Sequence, residues 1–366
     1  MFEHRHYVLV VRAKAAEFYA LKNLAEKRRQ RITPFVVVPD IGKDWDADRS
    51  GDTYKKPLHE HLTAKANKLA DCWPQDDSLF VDLAQLPHAT VDDTGEHPVV
   101  YFFDKLRDHS LSAVPVTAPD RSAAFQEAVR EVVSRDGNGL CLRLSQQYWE
   151  ESESPRMDVG ALYGRAGVQR SAVDIIFDFG PLEGKSASDV RRAAQEYITG
   201  LPSVSSWRSL TVAATSFPED MTGIEENSVE RIPREEWEAW SELTANEDEE
   251  DLDRKPAFGD YTITSRLGAL EVPPDVLNIA PRLRYTLEEE WVVYRGSANE
   301  GYEQRIECAE TLVDSDHFMG EDHCPGDQTM VERTGEDATS GGPQQWLEAD
   351  LIHHLAVTSD QVANHS

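Results

Sequence analysis

Eight short, almost wholly apolar runs recur along the chain and limit its fold more than any other feature. They are His6–Arg12, Ile32–Val38, Ser78–Leu83, Leu111–Val116, Leu140–Leu144, Ala172–Phe179, Ser209–Ala214 and Asp260–Thr264. A strand with one wet face alternates apolar and polar residues. Runs this continuously apolar are buried on both faces, as in a parallel sheet covered by helices. Helical spacing fills the gaps between them. Ala15–Arg29 sets Phe18, Leu21 and Leu24 on one side, and Leu58–Cys72 does the same with Leu62, Ala66 and Leu69. Asp120–Arg135 offers Asp120 as a cap, Phe125, Ala128, Val129 and Val132 as a buried stripe, and Gly137 as a stop. Ser186–Ile198 starts on a capping serine and ends at Gly200. Pro233–Leu243 has proline in its first turn, with Trp237 and Trp240 three apart. Residues 98–109 and 155–170 complete the alternation as weaker helices.

The first and eighth runs start about 250 residues apart, the usual span of a (β/α)8 barrel. The rival is a doubly wound open sheet, which normally carries a Gly-rich first βα turn. Arg12-Ala13-Lys14-Ala15-Ala16-Glu17 has no such turn. The expected fold is therefore α/β, a TIM-barrel-like (β/α)8 over residues 1–265. Beyond it, Arg282–Thr286 and Trp291–Tyr294 read as a strand pair, Tyr302–Leu312 and Trp346–Val357 as helices, and Asp314–Gly342 as irregular. Trp291, Trp346 and Leu355 need burial, so residues 266–366 are expected as a C-terminal α+β extension packed on the barrel.

Charge and cysteine usage narrow the function classes. A formal net charge of −30, from 37 Lys+Arg against 67 Asp+Glu, argues against a basic nucleic-acid surface. Acidic stretches such as Asn246–Asp253 read as solvated loops. No apolar run approaches the ~18–20 residues that span a bilayer, and Met1–Arg12 lacks a secretory h-region, so a soluble cytoplasmic protein is expected. Cys72, Cys141, Cys308 and Cys324 lie far apart without a CxxC, which signals neither a disulfide framework nor a zinc ribbon.

In a (β/α)8 barrel, functional groups sit at the C-terminal ends of the strands. Lys14 and Glu17 follow the first run, Asp40 the second, and Ser216 the seventh. Asp82, Arg143 and Asp178 lie inside the third, fifth and sixth. Arg284 is expected to fold back over that rim from the extension. Such a rim would hold both signs of charge and suit a zwitterionic or phosphorylated ligand. An internal salt-bridge lattice would need the same residues. Asp82 and Asp178 stand in strongly apolar sequence, where an unpaired carboxylate costs several kcal/mol, and Arg143 is the natural counter-charge. His317, His323, Cys324, His353 and His354 make a zinc-like inventory, but their spacing matches no familiar site, so no metal or cofactor is expected. Neighbouring histidines on a helix point about 100° apart, so His353 and His354 do not share one ion. Walker A, HExxH, GxSxG and kinase signatures are absent. The basic cluster Lys27-Arg28-Arg29-Gln30-Arg31 reads as a helix C-terminal turn.

Taken in order, several short motifs resemble the beta family proteins of bacteria and their mobile elements. They are Tyr7, Lys14…Glu17…Ala20-Leu21, Ile32-Thr33-Pro34, Val81-Asp82-Leu83, Asp178-Phe179-Gly180, Ser216-Phe217-Pro218 and Gly259-Asp260-Tyr261. Leu283-Arg284-Tyr285-Thr286, Arg295-Gly296, Gly326-Asp327, Trp346 and His353-His354 follow. The chain departs from the pattern at Asp350-Leu351-Ile352 and across Glu336–Gly342. The resemblance implies little chemistry, but the genomic company of such proteins implies a part in conflict between bacteria and phage. On that reading the chain recognises or assembles with a protein partner, encoded nearby or brought by the phage, and can form a homo-oligomer. The alternative is a TIM-barrel enzyme acting on a phosphorylated or nucleotide-like ligand at the rim, held by Lys14, Arg143 and Arg284. Nucleic acid is disfavoured as a partner by the charge.

Overall fold

The computed structural model describes residues 2–48, 53–86, 90–91, 94–219, 221–245, 252–264, 280–301, 303–335, 339 and 341–365. Most of the acidic run Asn246–Asp253 and part of Glu336–Gly342 lie outside them. The strands are β1 (Tyr7–Arg12), β2 (Ile32–Val37), β3 (Leu79–Asp82), β4 (Ala113–Thr117), β5 (Leu140–Ser145) and β6 (Val173–Pro181). They continue as β7 (Ser209–Thr215), β8 (Ser228–Pro233), β9 (Ala257–Asp260), β10 (Arg282–Thr286) and β11 (Glu290–Arg295). The helices are α1 (Ala15–Lys22), α2 (Glu26–Arg29), α3 (Leu58–Cys72), α4 (Pro98–Asp108), α5 (Ala123–Asp136) and α6 (Gln146–Glu151). After them come α7 (Pro155–Ala166), α8 (Ala187–Gly200), α9 (Glu235–Thr244), α10 (Gln304–Val313), α11 (Pro325–Glu332) and α12 (Pro343–Asn364).

Strands β1 to β7 and β9 pair in parallel and close into an eight-stranded barrel, β9 joining β7 to β1. The fold is a TIM-barrel-like (β/α)8. Strand parity divides each apolar run between two cores. Val8, Val10, Phe35, Val37, Phe80, Val114, Val116, Cys141 and Ile176 fill the barrel interior. Leu9, Val11, Val36, Val81, Leu142, Ile175 and Phe177 face out under the helices. This double burial explains why the runs carry so few polar residues.

Several boundaries differ from the sequence reading. The eighth strand is Ala257–Asp260, not Asp260–Thr264, and Thr262 adopts φ 57° just beyond it. Tyr261 and Ile263 are buried without extending the ladder, so their hydrophobicity mimicked a strand. Gly259 permits the closure, because a Cβ there would stand 2.9 Å from the Cβ of Ala213 on β7. Ala15–Arg29 is broken into α1 and α2, whose arginines pair with Asp360 and Asp77. Ser122, not Asp120, caps α5, by accepting from the Phe125 N–H. Pro233 ends β8 instead of opening α9. β8 itself was not anticipated, since its side chains alternate between half-buried and exposed, and α11 falls within the stretch read as irregular.

A second, antiparallel sheet runs in the order β10-β11-β8, so it takes a strand from before residue 265. One face, with Leu283, Tyr285, Val292 and Tyr294, packs on Leu312, Met330 and Trp346 from α10, α11 and α12. Trp291 on the other face meets Phe217 after β7, ring centroids 5.1 Å apart. Helix α12 then returns to the barrel. It lies along α1 and β1, and its last turn reaches α9, where His365 Nε2 is 3.0 Å from Thr244 Oγ1. It therefore stands where the helix following the eighth strand belongs. No helix among the described residues is long and apolar enough to cross a membrane.

Candidate functional site at the barrel mouth

Near the C-terminal ends of β3, β5 and β6 the inward side chains Asp82, Arg143 and Asp178 meet across the top of the barrel. Arg143 donates from Nε to Asp178 Oδ2 (2.7 Å), from Nη1 to Asp82 Oδ2 (2.8 Å) and from Nη2 to the Tyr261 hydroxyl (2.9 Å). Tyr261 donates in turn to Asp178 Oδ1 (2.5 Å), and the N–H groups of Gly180 and Ala84 donate to Asp178 and Asp82. The guanidinium lies over Phe35, 5.2 Å from the ring centroid. Burial works against its charge, but Tyr261, Asp178 and Asp82 outweigh burial and hold Arg143 firmly protonated. With all three of its nitrogens engaged, Arg143 stiffens the mouth.

Beside this lattice is a cavity of about 360 Å³ lined by Asp120, Arg121, Ser145, Asp178 and Lys185 among others. Arg121 lies 4.0 Å from Asp82, and Lys185 donates to Gln146. Ser145 caps α6 by accepting from the Tyr148 N–H. A larger recess of about 910 Å³ adjoins the first, sharing Gln146, Glu150, Phe179 and Lys185 with it, and runs between α6, the start of α7, and α8.

On the β1 side of the mouth, Glu17 is buried and its carboxyl is raised by that burial, with Lys14, Arg12 and Lys65 pulling the other way. Lys65 reaches the carbonyl of Ala13, and burial followed by Lys68, Lys56 and Lys14 pushes its ammonium down to about 8. Cations that depress one another in this way gain when an anion arrives. Asp40 turns back to accept from the Ile41 N–H (2.7 Å).

The structure draws Ser216 and Arg284 into a different cluster. Ser216 Oγ donates to Glu236 (2.5 Å), itself 3.4 Å from Arg234. Arg284 bonds Asp350 of α12 (3.2 Å) and lies over Phe217. β10 is the edge strand of the second sheet and lies along α12, so the arginine bridges two elements of the fold instead of joining Lys14 and Arg143. The same region buries His354, whose Nε2–H donates to Asp260 Oδ2 (3.0 Å) while Thr286 donates to its Nδ1 (3.0 Å). Tyr7 also donates to Asp260. The residues that the sequence reading missed at the mouth are Lys65, Arg121, Lys185 and Tyr261. Arg12, at the end of the first run, was legible as a strand-end charge, whereas these four arrive on loops and helices.

Burial raises the Asp350 carboxyl to about 7, against the pull of Arg284, and its Oδ1 finds no hydrogen-bond partner among the described residues. A carboxyl raised on folding leaves the native state holding more protons than the unfolded chain between about pH 4 and 7, so its contribution to stability falls across that window as pH rises. Asp350→Asn removes this dependence. The variant should gain on the parent by a few kcal/mol between pH 4 and pH 7, measured by urea unfolding at each pH; a constant difference would refute the assignment.

A closed parallel barrel with a charged, partly open C-terminal mouth defines this protein as a (β/α)8 protein with a candidate site in the usual place. The chain belongs to the Beta protein family, whose model matches residues 7–360, nearly its whole length. A search of curated proteins returned no match.

Proposed function

We propose that this protein acts in conflict between bacteria and phage by binding a protein partner at the C-terminal face of its barrel. Family membership motivates the setting. The observation that supports partner binding is the lining of the 910 Å³ recess, which gathers Trp149, Phe179, Tyr197, Met157, Arg156 and Arg192 beside the mouth. Aromatic residues, methionine and arginine are the types enriched at protein interfaces, and Met157 is 74% exposed at the lip. An exposed methionine is an adaptable contact for a polypeptide segment.

A second reading, an enzyme or sensor taking a phosphorylated or nucleotide-like ligand, draws support from the cations Arg12, Lys14 and Lys65 at the β1 end of the mouth. One experiment separates the two. Cells expressing the chain are challenged with a phage panel, and Met157→Asp and Lys14→Ala are scored for protection and for melting temperature. The partner reading expects Met157→Asp to lose protection, at an unchanged melt, while Lys14→Ala keeps it. The reverse pattern supports the ligand reading. A parent chain that protects against no phage sinks the setting itself.

A further inference from the structure

We propose that His323, Asp327 and His353 form a binding site for a divalent transition-metal ion, zinc by its donor set, with one position open to solvent. One ligand atom from each residue lies within 4.8 Å of the other two. His353 Nδ1 is already 3.0 Å from Asp327 Oδ2. Zinc sits about 2.0–2.2 Å from imidazole nitrogen and carboxylate oxygen, so tetrahedral donors stand somewhat over 3 Å apart. Only His323 has to move closer.

The surroundings prepare the donors as metal ligands are prepared. His353 Nε2–H donates to the Thr286 carbonyl (2.9 Å), which aims Nδ1 at Asp327. The Tyr285 hydroxyl donates to Asp327 Oδ1 (2.9 Å) and its ring stacks on His353 at 3.7 Å. A ligating histidine that gives its other N–H to a carbonyl, beside a carboxylate that is itself hydrogen-bonded, is the usual supporting shell of a metal. His323 Nε2 is buried and has no hydrogen-bond partner among the described residues, although Asp327 and His353 are its neighbours. A buried ring nitrogen without a partner, next to a carboxylate, is a donor that a cation would satisfy.

The backbone supports the same placement. A Cβ on Gly326 would stand 2.4 Å from the Ala349 carbonyl, so glycine at this position lets α11 lie against α12 and brings Asp327 to His353. Cys324, whose thiol donates to Asp327 Oδ2 (2.9 Å), is a neighbour of the same donor. His323 also lines a surface cavity of about 490 Å³ with Met319, Asp360 and Gln361, the side from which water would reach a fourth position. Three protein ligands with an open position are the pattern of zinc sites that exchange ligands, as opposed to closed structural ones.

The test is calorimetric titration of Zn²⁺ into the full chain after stripping with a chelator. The expected result is one equivalent bound, and binding at least tenfold weaker in His323→Ala, with metal-free melting temperatures equal in the two proteins. His323 is only partly buried, so the variant should keep its fold. Co²⁺ in place of zinc should give the intense visible bands of a tetrahedral ion in the parent and lose them in the variant. Absence of saturable one-to-one binding, or equal affinity in His323→Ala, overturns the site.

Discussion

Asp178→Ala should lower the stability of the chain by ~3–5 kcal/mol, the cost of leaving a buried charge unpaired. Asp178 carries one of the two carboxylates that neutralise Arg143 and also accepts from Tyr261 and from the Gly180 N–H. Its removal leaves the guanidinium with Asp82 alone among carboxylates, at a position 9% exposed where water cannot replace the lost partner. Two further donors lose an acceptor in the same change. Asp178→Asn keeps an acceptor for them and should cost less. Urea unfolding of the three proteins, read by tryptophan fluorescence, measures this order. A urea midpoint for Asp178→Ala equal to that of the parent would mean that the lattice adds nothing to stability.

A chain ending at Gly342 should fail to fold, a larger effect still. It would lose α12 and with it Leu351, Ile352, Leu355, Val357 and Val362, all buried. At ~1.5–3 kcal/mol for each such side chain, their burial alone rivals the ~5–15 kcal/mol that holds a typical protein together. Polar groups left behind add to the loss. Asp260 would keep Tyr7 but lose His354, Arg284 would lose Asp350, and Asp327 would lose His353. We therefore expect the shortened chain to be insoluble or to lack a cooperative transition in urea. A soluble product that unfolds with the parent's steepness would show that the eight strands close without their last helix.

The network around α12 bears on where the family's motifs lie. Tyr7, Ser216, Asp260, Arg284, Thr286, Asp327, His353 and His354 gather there, beside the barrel wall, while Lys14, Asp82 and Asp178 gather at the mouth. A motif residue in this protein is thus more often part of the join between sheet, helix and barrel than part of an opening.

Much of the architecture was legible because each barrel strand is buried on both faces. An apolar run of five or six residues between two amphipathic helices has few other ways to bury itself, so strand number, order and parallel pairing follow from composition along the chain. Asp82, Arg143 and Asp178 were legible for the same reason: a charge inside such a run must find its opposite, and parity placed all three on the inner face at the same end. Two strands of the second sheet, Arg282–Thr286 and Trp291–Tyr294, and the helix Trp346–Val357 were legible too, but local sequence carried no signal for β8 or for α12 as the helix that completes the barrel. β8 is half-exposed and reads as a loop, and α12 follows the eighth strand only after about 80 intervening residues. Pairings such as Tyr7 with His354 and Asp327 with His353 join segments whose own sequences ask only for some buried polar partner. Which partner each one meets depends on how the second sheet lies across the barrel and lays α12 along α1, and that is decided by packing between distant surfaces. Secondary structure and inner-face charges are local properties of this sequence, whereas the identity of the groups that satisfy them is a property of its tertiary fold.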